Sequence, residues 1–361
     1  MSRRSEYSET TESGCRCSKC CKKKKDSPDL IWKYHYANKK LDQHSFETPL
    51  FFIIPICHQE VGSRHPSFDT SDRTPMNYCF NPIDKSVKEI KNLPLIYAKT
   101  SCIFVGKHLF VFNGFVELES GDNVCKYDME SDTWEINAFS YLTPPRTESV
   151  ILKHPYETSR AVQVGGYKRN GEDYLSIVDY DFNTYYHYLY ENSPYDSRYN
   201  IETGVSAHNG LYLFSKAPYN NLIVWDPRDN ANYSQTTDLF FMDTRKNYSV
   251  TKNFESIYIT GGKCYSNSTA NGYFTTDDIL ELDIRMMRMR YCGQMNVARK
   301  MHSTFVYQNE LYFLCGQSPN SDDALGIDIY NLKNETWRKS SCIMPENVSV
   351  NCCAFNENYF E

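Results

Sequence analysis

The chain has 361 residues, 40% hydrophobic and 23% charged, so it can bury a core and stay in solution. Its 39 Lys and Arg against 45 Asp and Glu leave a net charge of −6, which argues against a general nucleic-acid binder. No apolar run nears the roughly 20 residues that span a bilayer, and the first residues lack the apolar stretch of a secretory signal.

Residues 1–29 are rich in Ser, Glu, Thr, Cys and Lys and nearly devoid of large apolar side chains, so they are expected to be a disordered tail. Within them Cys15, Cys17, Cys20 and Cys21 lead into four consecutive lysines, Lys22 to Lys25. Three readings stand for this run. Acylation of the thiols beside a polybasic patch would give peripheral membrane contact. A thiolate metal site is the second, although no further Cys or His pair stands nearby at zinc-ribbon spacing. The third is a solvated basic tail without a partner. The other ten of the 14 Cys are scattered, several inside apolar runs such as Ser101-Cys102-Ile103-Phe104, and read as small buried hydrophobes. Without a secretory signal the expected setting is a reducing cytoplasm.

From Leu30 onward, short apolar or alternating runs are separated by clusters of Gly, Pro, Asn and Asp, and no stretch carries a helical period. That is the texture of an all-β domain over residues 30–361. The 29 Tyr and 20 Phe suit strands as well.

The runs repeat. An apolar strand ending in glycine occurs at His108–Gly114, Arg160–Gly166, Ser256–Gly262 and Glu310–Gly316, with a degenerate copy at Gly210–Ser215 that has lost its glycine. After each comes an aromatic or apolar residue and then Asp or Asn: Tyr127-Asp128, Tyr180-Asp181, Trp225-Asp226, Leu282-Asp283 and Tyr330-Asn331. An earlier copy is Phe80-Asn81. The Asp/Asn positions are 47, 53, 45, 57 and 48 residues apart. Six residues beyond Asp128 and Asn331 stand Trp134 and Trp337.

Three short hallmarks in fixed order at a period near 50 resemble the kelch repeat, whose unit is one four-stranded propeller blade. The resemblance covers roughly residues 50–361. Glycines after the second strand permit a positive φ in a crowded exit. The Asp/Asn is suited to capping the turn after the third strand. The Trp of the fourth strand is placed to pack between blades. Five complete units read as blades at about 98–142, 143–198, 199–247, 248–293 and 294–342. The segment 46–95 supplies three strands of a sixth, and 343–361 supplies the missing one. The expected fold is therefore a six-bladed kelch-type propeller closed by both chain ends.

For function the resemblance implies a non-catalytic module that binds another protein through the loops on one face. The side chains expected to carry this are Lys99, Arg146, Tyr199, His208, Arg299 and His302, which lie just before or within opening strands as polar loop groups. The alternatives are a structural subunit of a cytoskeletal or ubiquitin-ligase assembly, and a propeller enzyme with an axial site. The nine His stand singly, without a metal-binding spacing, and no nucleophile elbow, phosphate loop or dinucleotide fingerprint occurs. No cofactor and no nucleic-acid partner are expected.

Overall fold

The computed structural model describes residues 49–55, 76–94, 100–116, 119–139, 146–167, 176–190, 200–207, 210–216, 221–228, 233–236, 245–265, 272–319, 325–345 and 350–355. The tail 1–29, with Cys15, Cys17, Cys20 and Cys21, lies outside them.

Among the described residues the apolar runs form 26 strands. Blade 1 contains β1 (Phe51–Pro55), β2 (Asn77–Asn81) and β3 (Ser86–Ile90). Blade 2 contains β4 (Ser101–Val105), β5 (His108–Val116), β6 (Glu119–Asp128) and β7 (Thr133–Glu135). Blade 3 contains β8 (Val150–Lys153), β9 (Arg160–Val164), β10 (Ile177–Asp181) and β11 (Tyr186–Tyr190). Blade 4 contains β12 (Ile201–Ala207), β13 (Gly210–Ser215), β14 (Leu222–Trp225) and β15 (Tyr233–Thr236). Blade 5 is built from β16 (Ser249–Asn253) and β17 (Ser256–Thr260), then β20 (Asp278–Asp283) and β21 (Arg288–Gln294). A small hairpin of β18 (Lys263–Tyr265) and β19 (Tyr273–Thr275) is inserted between β17 and β20. Blade 6 contains β22 (Ser303–Tyr307), β23 (Glu310–Leu314), β24 (Gly326–Asn331) and β25 (Thr336–Ile343). The last strand, β26 (Val350–Phe355), returns to blade 1, so each blade is a four-stranded antiparallel sheet. Phe51 stands opposite Phe355 and Ile53 opposite Cys353 in the closing pair.

The opening strands touch in a closed circuit, β26 to β4, β8, β12, β16, β22 and back to β26. That circuit defines a six-bladed β-propeller with the opening strands around the axis. Burial follows from this geometry. The second strand has blades on both sides, and β13 is buried at all six positions. The fourth strand faces solvent, and β25 has no buried residue.

The core is divided among the clefts between blades, with one apolar cluster in each of the six. Phe51 of blade 1 stacks on Phe305 of blade 6 with centroids 4.3 Å apart, and Phe112 of blade 2 meets Tyr180 of blade 3 at 4.7 Å. Such aromatic pairs add about 0.5–1.5 kcal/mol beyond the area they bury. Trp134 packs between blades 1 and 2, and its indole N–H donates to the Lys91 carbonyl at 2.8 Å. Trp337 packs between blades 5 and 6 against Tyr330.

The Asp/Asn of every repeat caps the turn that follows. The Oδ1 atoms of Asn81, Asp128, Asp181, Asp226, Asp283 and Asn331 each accept a backbone N–H two residues on, all at 2.9–3.0 Å. Four residues past five of them the backbone is left-handed, at Lys85, Asp132, Tyr185, Met287 and Glu335. A capped turn with that one unusual φ reverses the chain into the fourth strand.

Candidate functional site

The loops leading into the opening strands and the connections from second to third strands share one face of the ring. On it, a device repeats in blades 3, 5 and 6. Arg146, Arg245 and Arg299 lie before the opening strands, and all three are essentially fully buried. Each directs Nη1 at the carbonyl of the first residue after the second strand: Gly165 at 3.2 Å, Gly261 at 3.1 Å and Cys315 at 2.9 Å. Nη2 of Arg245 reaches Asp278 at 2.9 Å, that of Arg299 reaches Asp328 at 2.6 Å, and that of Arg146 donates to the Ser176 hydroxyl at 3.1 Å. The residue after each Arg then forms a bridge with the residue after the turn, as Thr147 with Tyr167, Lys246 with Lys263 and Lys300 with Gln317.

This crossing explains the second glycine. A Cβ on Gly166, Gly262 or Gly316 would stand 2.8–2.9 Å from the carbonyl of Thr147, Lys246 or Lys300, and all three glycines have φ near +90° to +104°. The first turn position also has positive φ, and in blade 6 Cys315 occupies it at φ 58.

His302 is buried with its Nε2 2.9 Å from the Thr260 hydroxyl, which in turn lies 2.9 Å from that of Thr304. Burial, and then the field of Arg299, pull its pKa down to about 3.

These positions correct the expectation that Arg146, Arg299 and His302 present polar groups to a partner from solvated loops. Their side chains bond inward and hold the loops that form the face. Burying an arginine is tolerated here because carbonyls and a carboxylate or hydroxyl meet its fork. Lys99, Tyr199 and His208 lie outside the described residues.

What else lies on that face differs from blade to blade. In blade 4 Lys216 stands where the second glycine would be. Its ammonium pairs with Glu148 of blade 3 at 2.5 Å and lies over the Tyr167 ring at 4.6 Å. Burial works against the Lys216 charge, but Glu148 outweighs it and the pKa rises. Beside them Glu202 accepts the Asn247 N–H at 2.8 Å, and burial raises its carboxyl.

Over blades 5 and 6 the surface is basic and aromatic. Lys246 and Lys263 exchange both backbone hydrogen bonds, at 2.9 and 2.7 Å, so their side chains stand directly opposite on one face. The Lys263 ammonium lies 4.4 Å from the centroid of the Tyr273 ring, and Tyr273 packs edge-on to Tyr265. Tyr265, Tyr273 and Phe274 are all exposed. Burial, and then Lys263, lower the pKa of Lys300. Among the described residues none of these three lysines forms an ion pair. Sequence reasoning missed them and Arg245. The signal that marks Arg245 is its spacing of 16 residues before Gly261, matched by Arg299 before Cys315.

The fold places the chain in the class of six-bladed β-propellers. Among solved structures it is similar to YjhT, with a TM-score of 0.60 and 14% identity over 73% of this chain and 90% of that one, a likeness of fold. No protein-family model and no curated protein matches the chain.

Proposed function

We propose that this propeller is a non-catalytic, kelch-type module that binds another protein, and that the partner docks over blades 5 and 6 on the face just described. The observation that supports the reading is the directly opposed Lys246–Lys263 pair with Lys300 beside it. Like charges opposite one another on a sheet are destabilising. A folded surface that keeps them beside exposed tyrosines suits an anionic partner better than it suits the monomer. Aromatic anchors ringed by charge also have the make-up of an interface in which charge sets association rate and specificity.

The test is capture of partner proteins by the full chain, compared with the triple variant Lys246→Glu, Lys263→Glu, Lys300→Glu. Capture is expected to vanish while the melting temperature falls by no more than a few degrees, since Lys246 is exposed and the half-buried Lys263 and Lys300 have no ion pair to lose among the described residues. Undiminished capture by the variant moves the site off this face.

A second reading, an enzyme with an axial site, is favoured by Glu148, Lys216 and Glu202, because perturbed ionisable groups collect at catalytic sites. Turnover of any small substrate that is lost in Lys216→Met, with capture intact, would establish it.

A further inference from the structure

The inserted hairpin has an unused edge. Lys263 directs its N–H and C=O at Lys246, so alternation makes Cys264 and Phe274 the pair bonded between β18 and β19. Thr276, two residues after Phe274, likewise donates inward to the Gly262 carbonyl at 2.9 Å. The residues between and before them, Thr275 and Tyr273, therefore point their backbone groups away from β18. Asp277, the next in that outward series, accepts from the Met295 N–H at 2.6 Å. Tyr273 and Thr275 have no backbone partner on that side among the described residues. The ladder begun at Asp277 and Met295 thus stops with two outward positions unfilled. A two-stranded hairpin is marginal by itself, and a third strand would complete it.

The side chains state what that strand should carry. Lys263, Tyr265, Tyr273 and Thr275 share one face of the hairpin, because opposed and alternate residues lie on the same side. Lys246 continues that face, and Lys300 stands within the field of Lys263. No carboxylate of the described residues pairs with these lysines. An incoming strand with alternating carboxylates supplies the missing charge on this face while its backbone fills the edge.

We propose that β19 receives an extended, carboxylate-bearing segment of a partner protein as an added strand, with Lys263 nearest its acidic side chains and Lys246 and Lys300 adding to the positive field behind it. The proposal rests on the protein-binding reading above and names the partner's chemistry and pose. Backbone bonds of this kind give affinity, and the alternate side chains give specificity.

The test uses fluorescence polarisation on the full chain with a labelled ten-residue peptide of alternating Glu and Val. Controls are the Lys–Val counterpart, an oligothymidine, and two Glu–Val peptides N-methylated at alternate amides, one for each strand edge. The Glu–Val peptide is expected to bind saturably and the Lys–Val peptide not to bind. The affinity should drop at least tenfold in Lys246→Glu/Lys263→Glu and in Thr275→Pro. One methylated peptide should lose binding while the other keeps it. The outward N–H of Thr275 has no internal partner to lose, so proline is tolerated there; should that variant melt early, the methylated peptides decide the matter. No saturable binding of the Glu–Val peptide, equal binding of both methylated peptides, or tighter lysine-dependent binding of oligothymidine overturns the proposal. If partner capture depends on the lysines while methylation makes no difference, the added strand is wrong and the docking face stands. If capture ignores the lysines, the face itself falls.

Discussion

At the scale of single residues, the charges that matter for stability are the hidden ones. Arg299 is fully buried on Asp328, and removing it leaves that carboxylate buried without its cation. Arg299→Ala is expected to cost about 3–5 kcal/mol, read as a lower denaturation midpoint in urea, whereas the exposed Lys246→Ala should move it by no more than about 0.5 kcal/mol. His302 has a folded pKa of about 3 against roughly 6.5 in an unfolded chain. Between those values the unfolded state binds more protons, so stability falls as pH falls through that window. From pH 7 to pH 5 this one group should remove about 2 kcal/mol. Urea melts at the two pH values should show His302→Asn losing correspondingly less than the parent; equal losses would rule out a buried neutral imidazole. The sequence marks Arg146, Arg299 and His302 as special by their place before opening strands. It does not show that they face inward, because the groups that accept the guanidinium lie 16 to 30 residues further along.

At the scale of elements, legibility follows local chemistry. The turn caps are readable because each acts within a few residues, and the glycine exits and the tryptophans because they recur in fixed order within the repeat. The hairpin β18–β19 is not readable as strands, since three-residue segments show no alternation. Its trace in the sequence is the longest step of the series, the 57 residues from Asp226 to Asp283. Its anchor is Gly262, at φ +104 with the Lys246 carbonyl 2.9 Å from where a Cβ would sit. Gly262→Ala is expected to push the Lys246 strand away from β18 at a cost of about 1–3 kcal/mol. It should also speed hydrogen exchange at the Lys246 and Lys263 amides, which an unstrained site would leave unchanged.

For the molecule as a whole, stability lies in six clefts that each need two blades. The repeat period and the split sixth unit make the ring and its closure legible from the chain alone. The proposed docking face is far less so, because its lysines come from three separate segments of the chain. Removing residues 350–361 strips β26 from blade 1 and opens the circuit between β22 and β4. The loss should propagate to neighbouring blades, since nearest-neighbour contacts carry the stability of repeat folds. A fall of many degrees in the melting temperature is expected, and an unchanged temperature would show that the ring holds without its clasp.

That clasp has a consequence for biosynthesis. The partner of β1 begins 295 residues after β1 ends, so the edge formed by Phe51 to Ile54 must wait for all of the intervening chain to be made. At about 5–20 residues per second the wait is tens of seconds. Throughout it, an apolar strand with open backbone groups is available to any other nascent chain. Translation speed and chaperone supply, more than the strength of the finished ring, then set the yield of native protein.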